Sequence, residues 1–115
     1  MLDNQITPSN KTTIAAVDLG TNNCRMLIAH TDGKHFSVID SFSRITRLGE
    51  GLSSSRRLSA EAMERTIEAL KVCASKMKKH RVKFSRNVTT EACRRAENCI
   101  DFVENVKKET GCDVY

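Results

Sequence analysis

Apolar and polar positions along this chain follow two periods, and the change between them divides it into elements. Thr12 to Leu19, "TTIAAVDL", is dominated by apolar and β-branched residues, the pattern of a strand buried on both faces. After "GTNN" the apolar run resumes from Cys24 to His30 as a second strand. Gly33 lies in "TDGK", a hairpin signal, and His35 to Phe42 alternates apolar and polar side chains as a third strand. Short connections between the three predict an antiparallel meander.

"SRITRLGEGLSSSRRLS" loses that alternation and reads as an extension of the third strand followed by a loop. The period then becomes helical. Ser59 is placed to cap a helix with Glu61 in its first turn, and Met63, Ile67, Leu70, Cys73 or Ala74, and Met77 form its apolar stripe. The cations of "KMKKHRVK" suit the end of a helix, where carbonyls are unpaired. Phe84 to Thr90 reads as a fourth strand. Asn98 is placed to cap a second helix with Asp101 three residues on, and Ile100, Phe102 or Val103, and Val106 are expected to be buried. Lys107, Lys108 and Gly111 form a stop signal, and Cys112 to Tyr115 reads as the start of a fifth strand.

The order β-β-β-α-β-α-β predicts an α/β fold with a mixed five-stranded sheet. A right-handed helical crossover returns the fourth strand parallel to the first. The turn after strand one and the loop after strand four then share one edge of the sheet, and crevices at the carboxyl ends of strands are where open α/β sheets bind ligands.

That placement gives "DLGTNN" and "TTEACRRAEN" chemical meaning. Gly20 permits positive φ and close approach of a ligand to the backbone, while Thr21, Asn22 and Asn23 present successive N–H groups with a hydroxyl and two amides, an anion-binding nest. Asp18 repels phosphate unless a divalent cation such as Mg²⁺ lies between them. Arg25 adds a planar fork of donors, and the second loop supplies Arg94 and Arg95. A plain structural turn and solvated arginines are the alternative reading. No Gly-Lys-Ser/Thr follows the turn, so it is not a Walker A loop.

Composition narrows the partners. The 115 residues carry a formal charge of +5, which favours anions, but aromatics are only 4% with no Trp, which argues against base-stacking on single-stranded nucleic acid. The five cysteines, at 24, 73, 93, 99 and 112, have neither C-x-x-C spacing nor a zinc pattern with the histidines, and read as reduced thiols of a cytoplasmic protein. No apolar run is long enough to span a bilayer. Met1 to Lys11 lacks an apolar signal core and is expected to be a flexible tail before a domain over 12–115.

Three segments in order resemble one family. "AAVDLGTNNCRMLIA" is similar to the opening of the exopolyphosphatase/guanosine pentaphosphate phosphohydrolase (Ppx/GppA) family, approximately D-x-G-[ST]-N-[ST]-x-R, with Asn23 standing where Ser or Thr is usual. "RLGEGL" at 47–52 and "TEACRRAEN" at 90–98 resemble the segments that follow. The resemblance implies a ribonuclease H-like, actin-like fold and Mg²⁺-dependent removal of terminal phosphate from polyphosphate or pppGpp. It implies Asp18 near the metal, Gly20, Thr21, Asn22, Asn23 and Arg25 around phosphate, and Arg94 as the catalytic arginine on the scissile phosphate; Arg95 has no matched role. The family's catalytic glutamate, in an "I-S-G-x-E-E-A" segment, is expected beyond Tyr115, so the chain reads as an inactive N-terminal part of a longer, dimeric enzyme. Two other readings stay open: a fragment of an actin-like sugar or acetate kinase, which shares D-x-G-T, and a non-catalytic basic module binding polyanions or nucleic acid through Lys76 to Arg86.

Overall fold

The structure, a computed structural model, describes residues 11–114, and only the backbone of Glu91 and Ala92. Residues 1–10 of the expected tail therefore lie outside the described residues. Among the described residues, four strands and four helices follow in chain order: β1 (Thr12–Leu19), β2 (Asn23–Thr31), β3 (Phe36–Ile45), α1 (Leu52–Ser55), α2 (Ala60–Lys79), β4 (Phe84–Thr89), α3 (Glu91–Arg94) and α4 (Cys99–Thr110). They form one mixed sheet in the order β3-β2-β1-β4, antiparallel throughout except that β4 runs parallel to β1.

α2 and α4 pack together on one face of this sheet. Val17 and Leu19 of β1, Cys24, Met26 and Ile28 of β2, Leu70 and Cys73 of α2, and Phe102 and Val106 of α4 share one core. Ser59 caps α2 as expected, its Oγ accepting the Ala62 N–H at 3.1 Å. Ile67, Leu70 and Cys73 are buried with Ala62, Thr66 and Ala69, while Met63, Ala74 and Met77 pack at the margin.

Several expectations are corrected. β1 is buried on one face only: Ala15, Val17 and Leu19 point to the helices, whereas Ala16 and Asp18 are exposed. The third strand carries a bulge, since Ile28 pairs with Asp40 but Ala29 pairs with Val38, leaving Ile39 as an extra residue. The bulge reverses the alternation along β3, so Phe36 and Val38 face outward and Asp40 and Phe42 face the helices. Loop residues form short helical turns at α1 and α3. Asn98 makes no side-chain cap; its amide instead clamps Leu58 across the chain, accepting the Leu58 N–H at 2.8 Å and donating to the Leu58 carbonyl at 2.9 Å. The buried face of α4 runs through Cys99, Phe102 and Val106, and Ile100 is 74% exposed. The fifth strand is absent over residues 112–114, and Tyr115 lies outside the described residues. There the Asn87 amide takes the Asp113 carbonyl, at 2.9 Å, in place of a backbone ladder.

The second face of the sheet is left uncovered by the described residues. Leu27, Phe36, Val38, Ile45 and Phe84 all sit on it by register and are 47–70% exposed. Among the described residues, Ile100 is the one large exposed apolar side chain that lies elsewhere.

Candidate functional site: three loops at one sheet edge

The turn between β1 and β2 closes through the Gly20 N–H, which donates to the Asn23 carbonyl at 2.8 Å. Gly20 does not use the positive φ open to it. Its small size matters for a different reason: a β-carbon there would approach the Asn23 carbonyl oxygen to 3.3 Å. Neighbouring backbone takes up the turn's carbonyls. Asn22 O accepts from Thr46 N at 2.8 Å and Arg47 N at 3.0 Å, and Thr21 O accepts from Gly49 N at 3.0 Å. The N–H groups of Thr21 and Asn22 have no such partner among the described residues. A turn whose carbonyls are tied back by neighbouring backbone presents its N–H side, with positive partial charge, outward.

Parallel pairing brings the end of β4 to the same edge. Thr90 N and Thr89 Oγ1 both donate to the Leu19 carbonyl, at 3.2 and 3.3 Å. One turn later the Arg94 N–H donates to the Thr90 carbonyl at 3.2 Å, so α3 begins beside the residue that precedes Gly20. The Arg94 side chain is exposed.

Asp18 and Arg25 are direct antiparallel partners on the uncovered face, and Val88 is the parallel neighbour of Asp18. Such partners hold their β-carbons about 4.5–5.5 Å apart. They line a cleft of about 810 Å³ together with Leu27, Ser41, Ser43 and Arg86. Among the described residues, Asp18 is the one carboxylate in its lining. Among the described residues, no three His, Cys, Asp or Glu side chains cluster as metal ligands. A single carboxylate suits Mg²⁺, which keeps waters and shares phosphate oxygens; it does not suit a cation that needs an all-protein cage.

The loop after β3 supplies residues that the sequence reading did not single out. Arg65 of α2 donates through Nε to the Thr46 carbonyl at 2.9 Å and through a terminal nitrogen to the Glu50 carboxylate at 2.6 Å, fixing the loop from beneath. Gly49 sits so close to Thr21 that a β-carbon would overlap the threonine methyl. Thr21, Gly49, Leu52, Ser53, Arg56, Arg95 and Glu97 line a second cleft, of about 650 Å³. Arg95, not Arg94, is the loop arginine in this cleft. Spacing alone could not distinguish them, because the turn at α3 sets where each side chain emerges.

The basic run from Lys76 to Arg86 does not form one patch. Lys76 reaches Asp40 at 3.2 Å on the helical side, whereas Arg86 pairs with Ala16 and lies on the opposite face. The five cysteines are free and buried. Cys24, next to the turn, has its Sγ 3.9 Å from that of Cys73. This contact and burial push the Cys73 thiol far above its usual range, which keeps it protonated. No helix is long and apolar enough to cross a membrane among the described residues.

Residues 27–115 match the model of the Ppx/GppA phosphatase family. An Aquifex aeolicus member of that family superimposes with a TM-score of 0.87 at 35% identity, over 90% of this chain and 34% of the other. An exopolyphosphatase from Cytophaga hutchinsonii gives 0.85 at 26% identity, over 90% and 33%. Thermus thermophilus RuvC, at 14% identity and a TM-score of 0.53, shares the fold over 90% of this chain and 62% of its own. The fold is ribonuclease H-like, and the chain spans about a third of the length of its solved family relatives.

Proposed function

The chain belongs to the Ppx/GppA phosphatase family, and from that premise we propose that it forms the phosphate-holding edge of an enzyme that removes terminal phosphate from polyphosphate or pppGpp. The meeting of the Gly20 turn with the Arg94 turn at the adjacent carboxyl ends of β1 and β4 carries this reading. In it, the N–H groups of Thr21 and Asn22, which have no backbone partner among the described residues, hold a phosphate with Asn23, Gly20 and Arg25. Arg94 stabilises charge on the scissile group. Asp18 would hold Mg²⁺, which would neutralise phosphate oxygens. The carboxylate that orients the attacking water is assigned to a residue other than Asp18, the one carboxylate among the described residues that line its cleft, and is placed outside these 115 residues. The working enzyme is a cytoplasmic dimer.

The expected result is binding without turnover. The chain should bind tripolyphosphate yet release no orthophosphate from polyphosphate with Mg²⁺. Arg94→Ala should weaken binding by about tenfold or more, the loss of a charge-assisted hydrogen bond worth roughly 1.5–3 kcal/mol. Gly20→Val should do the same by crowding the Asn23 carbonyl. Phosphate release that persists through repurification and disappears in Asp18→Ala would refute the division of labour. Failure of the chain to bind any phosphate compound would refute the site.

A further inference from the structure

Arg65 belongs to α2, outside the turn, yet its hydrogen bonds lead into it. Its Nε donates to the Thr46 carbonyl at 2.9 Å, and a terminal nitrogen donates to the Arg47 carbonyl at 3.3 Å. These two carbonyls flank the Cα of Arg47, whose φ of 48° is left-handed and uncommon for a residue with a side chain. The N–H groups of the same stretch point the other way. Thr46 N and Arg47 N converge on the Asn22 carbonyl, at 2.8 and 3.0 Å, as successive N–H groups of a small nest do. The Thr46 carbonyl and the Arg47 N–H are two ends of one peptide group. The Asn22 carbonyl and the Asn23 N–H are two ends of another. A path of hydrogen bonds and peptide groups therefore runs unbroken from the Arg65 guanidinium to the turn.

We propose that Arg65 is a positioning residue for the Gly20–Asn23 turn: acting through the peptide group between Thr46 and Arg47, it keeps the Asn22 carbonyl tied back and strengthens the Asn23 N–H, so that the turn offers an anion donors rather than acceptors. This rests on the reading of the turn as a phosphate holder. Two effects act together. Clamped on both sides, Arg47 keeps the left-handed conformation in which its N–H and that of Thr46 meet one oxygen. A charged donor on a carbonyl also polarises the N–H at the other end of that peptide group, a gain of about 10–30% per bond along a chain. A guanidinium suits this place because its planar fork reaches two carbonyls at once, whereas an ammonium is a point donor. Glu50 tempers the effect. Its carboxylate lies 2.6 Å from the terminal nitrogen that also reaches Arg47, and it draws charge away from the path.

The test combines calorimetry with orthophosphate and tripolyphosphate, at fixed ionic strength, with the amide proton spectrum of the ligand-free 115-residue chain. Arg65→Met keeps an unbranched stem without donor or charge. It should weaken both ligands by about fivefold or more, within the range by which a residue outside a site alters it. Its Arg47 and Asn23 amide protons should move upfield, the mark of weaker polarisation, while that of Leu27, further along β2, stays in place. Arg65→Lys should recover part of the affinity and part of the shift. Glu50→Gln separates this role from a merely structural tie between α2 and the loop. It breaks the same ion pair, yet should leave affinity at the wild-type level or above, because the guanidinium keeps its two carbonyls. Lys108→Ala, a remote exposed charge on α4, should change neither ligand. Unchanged affinity in Arg65→Met, unmoved Arg47 and Asn23 amide protons, a loss in Glu50→Gln as large as in Arg65→Met, or a matching loss in Lys108→Ala would each overturn the inference and leave the turn reading intact. A wild-type chain that binds neither ligand overturns the turn reading and this inference with it.

Discussion

Gly49 donates its N–H to the carbonyl of Thr21 at 3.0 Å, and no side chain fits between them. The loop after β3 is thereby pressed against the turn after β1 along its backbone. Gly49→Ala must displace the Thr21 methyl and should cost about 1–3 kcal/mol, as overpacking does. Thr21→Ser removes that methyl, so in the Thr21→Ser background the same change should cost much less. Chemical denaturation of the four proteins of this cycle measures the coupling. Additive costs would show that the two loops do not meet through this contact.

Leu70 is completely buried between α2 and the sheet, and Leu70→Ala should destabilise the fold by about 2–5 kcal/mol. The readout is the urea midpoint at unchanged slope. An unchanged midpoint would mean that α2 presents another face.

Asp40, on the helical side of β3 because of the bulge, is drawn down to about 2, first by the hydrogen bond with His80 (3.0 Å), then by Lys76 and the Ser41 N–H. Asp32 is drawn down to about 2 by the Lys34 and His35 N–H groups in the hairpin turn. Both carboxyls titrate lower folded than unfolded, where about 3.9 is usual. Their contribution is therefore complete above the unfolded value and is lost as pH falls towards 2. Urea midpoints from pH 6 down to pH 2 should fall less steeply in Asp40→Asn, and least in the variant that also carries Asp32→Asn. Slopes identical to wild type would remove both groups from the acid response.

The uncovered sheet face should bring two copies of this chain together, since Phe36, Val38, Ile45 and Phe84 are all more than half exposed on it. Sedimentation velocity should show association that rises with concentration. Val38→Lys, at a position exposed in the free chain, should return it to monomer without lowering the melting temperature. A strictly monomeric wild-type chain at high concentration would count against this face as the contact.

Much of this architecture was legible because local chemistry and fold agree. Ser59 caps α2, the helical stripe through Leu70 is buried, Gly111 takes the left-handed C-cap, and β4 runs parallel to β1. What escaped the reading depends on contacts distant in sequence. The extra residue at Ile39 has no sequence mark, yet it turns Phe36 and Val38 outward and Asp40 inward. Asn98 has the right chemistry for a cap, but Leu58, forty residues earlier, takes its amide. At the site, the donors of the turn could be read from "GTNN". The parts played by Gly49, Arg65 and Arg95 could not, because each is defined by what lies opposite it.

The parallel pairing of β1 with β4 also sets a sequence of events. β1, β2 and β3 join through short connections, whereas Leu19 and Thr89, bonded across the edge, are 70 residues apart. Closing that distance costs chain entropy that the meander never meets. The hairpins can form as soon as their strands exist, but β4 docks only after α2 has crossed the sheet. The junction between the Gly20 turn and Arg94, unlike the turn itself, should therefore be completed last as the chain folds, and pulsed hydrogen exchange should show β4 amides protected after those of the hairpins.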